Sequence, residues 1–289
     1  MEAQVIDTLR HKYSLKQLFR YFSMARSTFY YNLKRAKQPD KYRQVKSEIK
    51  SIFSKNLETF GYRRIWLKLV KCGISICPET VRKLMTQLGI KTKVYSKPTS
   101  KRYSSFRGKV GKIAPNLLKQ HFSEKIPFKV LHTDITQVQL VDGKKAYISA
   151  IIDEASSEVI SLVADNNERF QLVERMLNET KSKIKDLKQV TIHSDQGFHY
   201  QIPAYQSWIK ANHVTQSMSR KGNCLDNAPI ESFFNLLKRE CLNRIKLTSL
   251  TSLKKVCQEY VKWFNKERIS GNKKGLTPIE YRNKSLKTE

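Results

Sequence analysis

The apolar residues of this chain change their period once, and that change limits its folds more than any other feature. Up to residue 90 they recur at helical spacing; from residue 127 they follow a strand-like pattern. RQVKSEIKSIFSKN, GYRRIWLKLVKCG and PETVRKLMTQLG read as three helices, with Pro78 in a first turn and Gly73 and Gly89 as stops. FKVLHTDITQVQL, KAYISAIIDEAS and EVISLVAD read as strands, the first two joined across the hairpin dipeptide Asp142-Gly143. Helices over RFQLVERMLNETKSKI and IPAYQSWIKANH then alternate with short strands over QVTIHS and VTQSMS, and two more helices close the chain. A helical front part followed by an α+β or mixed α/β sheet is the fold class this predicts.

Residues 4–36 read as three further short helices. Ser14 and Gln17 can form a reciprocal cap, and the brief turn near Ser23 gives helix-turn-helix spacing. The second helix of such a pair would present Arg26, Ser27, Thr28 and Tyr31 outward to bases or phosphates, although a basic helical hairpin is also a common structural unit. Between residues 43 and 90, Ile65, Leu67, Leu69 and Val70 are expected to face Val81, Leu84, Met85 and Leu88. That leaves Tyr62, Arg63, Arg64, Arg82 and Lys83 for phosphates, or simply for the solvated face of a three-helix bundle. Residues 90–122 mix basic residues with Ser, Gly, Pro and the aromatics Tyr95, Tyr103 and Phe106. This is the composition of a linker that tracks a nucleic-acid backbone, or of a plain tether.

Charge narrows the partner. The formal net charge is +30, and residues 1–126 hold 29 Lys and Arg against 7 Asp and Glu. A surface normally mixes signs, so an excess of this size calls for a polyanion, and nucleic acid suits it better than a membrane. No run is long and apolar enough for a bilayer span, and the N-terminus lacks the apolar centre of a signal peptide, so a cytoplasmic protein is expected. Five cysteines without a CxxC pair argue for thiols rather than disulfides or zinc.

Three acidic residues occupy special places on this frame. Asp134 lies within the first strand, Asp195 ends the fourth, and Glu231 opens the helix after SMSRKGNCLDNAP. Carboxylates gathered at strand ends and a helix start repel one another, and a hard divalent cation is the ordinary remedy. With a polyanion implied, phosphodiester cleavage or transfer is the matching chemistry. Asp153, Glu154 and Asp226 are rivals by position, and Asp226 could merely cap the helix.

The set HTDIT, HSDQG and SMSRKGNCLDNAPIESFFNLLKRE resembles the catalytic core of DDE transposases related to retroviral integrases. More narrowly, it is similar to the OrfB proteins of bacterial two-frame insertion sequences. Between Asp195 and Glu231 lie 35 residues, the interval of that group, and Lys238 follows Glu231 by seven as its basic residue does. FGYRRIWLKLV with TVRKLMTQLGIK, and YVKWFNKERISGNKKGLTPIEYR, match the segments before and after the core. The resemblance implies an RNase H-like fold, a five-stranded mixed sheet with flanking helices. It also implies that Asp134, Asp195 and Glu231 ligate two magnesium ions, with manganese as a substitute. DNA cleavage by water and joining by the freed 3′-hydroxyl would follow, without a covalent enzyme intermediate.

Lys238, Arg220 and Lys221 would hold DNA at the site. Asn223, Asn227, His132 and His193 would be structural, and Cys224 incidental. Partners implied are the element's terminal inverted repeats, target DNA, further copies of the chain on DNA, and the upstream-frame OrfA protein. In the family that upstream product supplies a coiled coil, which this chain is expected to lack. Ala25 stands where many relatives carry a serine cap. The expected division is a helix-turn-helix unit over 1–40, a second helical unit over 41–90, a basic linker over 91–126, the catalytic core over 127–245 and a helical extension over 246–289. A nuclease of the same fold that cuts without joining, and a DNA-binding regulator, are the rival readings.

Overall fold

The computed structural model describes residues 2–94 and 111–287, so the linker aromatics Tyr95, Tyr103 and Phe106 lie outside the described residues. The chain forms two compact units, Met1–Lys50 and Ser51–Glu289.

The smaller unit holds α1 (Glu2–Leu9), α2 (Leu15–Tyr21) and α3 (Arg26–Lys37). Ala3, Ile6, Leu18 and Phe29 form its core. Ser14 and Gln17 make the reciprocal cap of α2. Ser23 turns the chain at φ 48°, and α3 starts from Ala25 with no side-chain cap. Arg26, Thr28 and Tyr31 are exposed on α3, and the Arg26 guanidinium lies 5.9 Å from the centre of the Tyr30 ring.

The helix α4 (Arg43–Lys55) is followed, within the larger unit, by α5 (Tyr62–Lys71) and α6 (Pro78–Gln87). Ile65 and Leu69 pack toward Val81, Leu84 and Met85, but Val70 is 47% exposed. Val70 follows Leu69 by one residue, about 100° around the helix, and so falls off the buried stripe, which is narrower than the run of apolar residues.

Five strands make one sheet in the order β3-β2-β1-β4-β5. β1 (Val130–Gln139), β2 (Lys145–Asp153) and β3 (Val159–Asp165) form an antiparallel meander, turning first at Gly143 with φ 80°. β4 (Thr191–Ser194) and β5 (Thr215–Met218) then add in parallel on the far side of β1. The crossovers are α7 (Phe170–Lys183) before β4 and α8 (Pro203–Ala211) before β5. Leu131, Ile151, Ile160 and Ile192 meet Val173, Met176, Leu177, Tyr205 and Ile209 in one core.

Successive residues of a strand point to opposite faces, so His132, Asp134 and Thr136 turn the other way, toward α9 (Ala228–Glu240). Behind α9 pack α10 (Leu250–Lys266) and α11 (Pro278–Ser285), with Phe233 edge-on to Phe264 at 5.3 Å. Arg244 donates to the Leu57 carbonyl at 2.7 Å and Lys68 pairs with Glu267 at 3.1 Å, which ties α5 and its approach to the C-terminal helices.

A buried ion cluster closes this side. Glu240, the last residue of α9, accepts three bonds from Arg268 (2.8, 2.9 and 3.3 Å) and one from Tyr260 (2.9 Å), and Arg64 lies 3.8 Å away. Burial and the neighbouring Arg268 push the Arg64 guanidinium down to about 10. Arg64 also stacks over Phe60, so it faces inward instead of standing among the phosphate-facing residues expected on α5. The aromatic before the helix and the acidic end of α9 together give its long side chain a better partner than solvent.

Candidate active site

The parallel pairing of β1 with β4 sets His132 opposite His193. Carrying that register two residues on sets Asp134 against Asp195, at the carboxyl end of β4, where open sheets hold their ligands. Asp195 leaves the strand and turns back, its Oδ1 accepting from the Gly197 N–H at 2.8 Å. Asp134 Oδ1 accepts from the Ile135 N–H at 2.7 Å. Glu231 sits in the first turn of α9, whose Pro229 suits a helix start.

Their electrostatics show that these carboxylates share one space. Burial, then the Asp195 charge, then Glu231, hold Asp134 well above the ordinary carboxylate range. Asp195 is raised chiefly by burial, and Glu231 by burial and the Asp195 charge. The fully buried Tyr200 phenol is raised by burial first and then by the Asp134 and Asp195 charges. Lys238 donates to Thr136 Oγ1 on β1 and partly offsets the charge at Asp134. Among the described residues, no three acidic, His or Cys side chains are drawn tightly enough to enclose an ion as they stand.

The rival carboxylates are all engaged elsewhere. Asp153 accepts from the Phe128 N–H and from the Ser156 N–H and hydroxyl at 2.5–2.7 Å. Glu154 reaches His132 Nε2 at 2.8 Å and the Glu124 N–H at 2.9 Å. Asp226 does not cap α9. Buried beside Arg220, which makes a two-pronged bond to it, it also accepts from Asn116 and Gln120 and is held far below the usual range, the Arg220 bonds being the main cause.

That arrangement changes the picture of the loop before α9, which in sequence offers little burial. Ser217 and Ser219 are buried and bond to the two nitrogens of His193 at 2.8 and 3.1 Å. Burial and the nearby His132 push His193 down to about 4, so it stays neutral. Arg220, Lys221, Gly222 and Leu225 are exposed at the loop's outer side. The small hydroxyl side chains of Ser217 and Ser219 satisfy a buried imidazole, which costs little entropy.

Of the expected DNA-facing residues, Lys221, Arg63 and Lys83 are exposed, Arg63 lying over the Tyr62 ring at 5.7 Å. Arg82 is exposed and paired with Glu79. Arg220 is split between solvent and Asp226. Thr136, Asn116 and Gln120 carry no signal of their roles in the sequence, since each acts through a partner about 100 positions away.

The Integrase core domain family matches residues 124–224, a second family of the same description matches residues 231–286, and an HTH-like domain matches residues 40–98. The putative transposase InsK of insertion sequence element IS150 from Escherichia coli strain K12 is 42% identical over 98% of both chains. A transposase-like protein of Haemophilus influenzae is 38% identical over 74% of this chain and 96% of its own. The solved HTLV-2 integrase catalytic core in complex with magnesium is 16% identical, with a TM-score of 0.42 over 54% of this chain and 97% of its own.

Proposed function

Because the chain belongs to the integrase-core transposases of bacterial insertion sequences, we propose that Asp134, Asp195 and Glu231 are the carboxylates with which it cuts and joins DNA. The observation that carries this reading is the parallel pairing of β1 with β4, which leads Asp134 and Asp195 to one end of the sheet, with the Asp195 charge raising both Asp134 and Glu231 of α9.

The donor set suits a hard divalent cation. It is made of oxygen alone, and the two nearby histidines, His132 and His193, spend both ring nitrogens on other partners. Asp134, Asp195 and Glu231 would hold magnesium or manganese, two ions in the full reading. Bound there, the ions supply the positive charge that in-line displacement at phosphorus requires.

The protein's own contribution is position and charge. The Gly197 N–H aims Asp195, the β1–β4 ladder fixes Asp134 beside it, and Lys238 stands two helical turns from Glu231 to meet a phosphate. Water is the first nucleophile and frees a 3′-hydroxyl at the element end; that hydroxyl then attacks a second phosphodiester. The element ends are held by the helical units through Arg26, Thr28, Arg63, Arg82 and Lys83, with Lys221 and the free face of Arg220 near the site. Further copies of the chain and the upstream-frame protein complete the working complex. No helix among the described residues is long and apolar enough to cross a membrane.

The test is an end-labelled DNA carrying both element ends, incubated with the purified chain and magnesium. Joined products support transposition; nicked ends without joining would assign the chain to the nuclease reading. DNA binding should weaken steeply with salt, by roughly 10³-fold or more between 50 and 200 mM. A flat salt response would remove the charge argument.

Gly197→Ala gives a finer probe. A Cβ there would stand 2.9 Å from Asp195 Oδ1 and 3.5 Å from the Tyr200 ring, although the backbone angle itself suits alanine. Cleavage should fall by about 10²-fold from a sub-ångström shift of the carboxylate, with little change in melting temperature. Unchanged cleavage would mean that Asp195 need not be aimed this closely.

A further inference from the structure

One side chain ties the start of α9 to the strand that carries Asp134. Asn227 is 2% exposed and occupies the N-cap of α9, yet it makes no capping hydrogen bond. Its Nδ2 donates instead to the Thr133 carbonyl at 3.0 Å, and its Oδ1 lies 3.1 Å from His132 Nδ1. His132 is braced from behind by Glu154, whose other oxygen holds the Glu124 N–H. A continuous run of buried and half-buried hydrogen bonds therefore leads from residue 124, through Glu154 just past β2 and His132 on β1, to the N-cap of α9.

We propose that Asn227 is the positioning residue of the site, fixing how far Glu231 reaches toward Asp134 and Asp195. The proposal rests on the carboxylate assignment made above. Its geometry is a bracket: Asn227 fastens α9 to Thr133, one residue before Asp134, and Lys238 fastens it to Thr136, two residues after. Glu231 lies between the two fastenings on the helix, as Asp134 lies between them on the strand. One bond to a backbone carbonyl sets the distance, and the bond to His132 sets the angle of the amide. An asparagine placed only to start a helix would spend its oxygen on the N–H groups of the first turn, which this one does not.

That difference decides the experiment. Serine caps a helix as well as asparagine does but is too short to bridge Thr133 and His132. In the full chain, Asn227→Ser should bind end DNA with unchanged affinity and half-saturation. Single-turnover cleavage at saturating DNA should fall by about 10²-fold. Amide exchange over residues 228–232, measured without DNA or metal, should speed up in parallel. Asn227→Asp, which keeps the size and the acceptor but loses the donor to Thr133, should show the same split. A wild-type cleavage rate in either variant overturns the proposal, and so does a lost rate with unchanged exchange. Glu231→Gln run alongside keeps the two readings apart. Activity retained in Glu231→Gln sinks the carboxylate assignment, whereas activity lost there but retained in Asn227→Ser sinks only the positioning role.

Discussion

Asp134→Asn, Asp195→Asn and Glu231→Gln are each expected to lower strand cleavage and joining by about 10³-fold or more, since each removes several kcal/mol of charge complementarity at the phosphorus. Binding to element ends should survive, because the exposed basic residues of the helical units are untouched. The same variants carry a second, opposite expectation for stability. A carboxyl whose pKa is raised by folding stabilises the fold below its unfolded value of 3.8, and that contribution is lost as pH rises through the folded value. At neutral pH the buried Asp134 is therefore a cost in the metal-free protein. Asp134→Asn, equal in size and uncharged, should raise its melting temperature, by roughly 2–4 °C for each kcal/mol relieved. It should also flatten the gain in stability that the parent shows on acidification. Loss of activity with a falling melting temperature would mean that the residue is structural, and full activity in any of the three would remove that residue from the site.

The second large effect concerns Glu240. It lies 3% exposed between Arg268 and Tyr260, with Arg64 at 3.8 Å. Removing one member of a buried ion cluster leaves the others uncompensated, at a cost of about 3–5 kcal/mol. In Glu240→Gln two guanidinium groups face each other without the anion that separated them, and burial already disfavours the Arg64 charge. Denaturant unfolding of the larger unit should register the full loss. Arg64→Met in the same background should recover part of it, because it removes one of the stranded charges. A midpoint unchanged by Glu240→Gln would show that solvent reaches the cluster and that its geometry carries no net stability.

Much of this architecture was legible because strand and helix periods are local. The switch of period located the sheet, Asp142-Gly143 located its first turn, and the caps at Ser14 and Pro78 located two helix starts. Position alone left Asp134, Asp195 and Glu231 among rivals such as Asp153, Glu154 and Asp226, and it was the resemblance carried by HTDIT, HSDQG and the 35-residue interval that singled them out. What stayed hidden depends on partners distant in sequence. Nothing around Arg64 tells that Glu240 lies within reach, and nothing around Asp226 tells that Asn116 and Gln120 come to meet it. Val70 misled because a short helix carries more apolar residues than its neighbour can cover. The serines before α9 carry no signal of their role, because composition reports the absence of bulk but not the presence of a buried imidazole to satisfy.

The helix α9 carries Glu231 at one end and Glu240 at the other, so the proposed chemistry and the fastening of the larger unit share thirteen residues. Damage does not fall evenly on such a design. A substitution that frays this one helix should silence cutting first, while the smaller unit keeps its separate core and, in the role proposed for it, would still occupy DNA. A worn copy of the gene would then encode a blocker of its intact siblings, sitting on the ends they need. Decay of one copy would thereby restrain the rest, and an element of this kind would carry a brake on its own spread that requires no repressor.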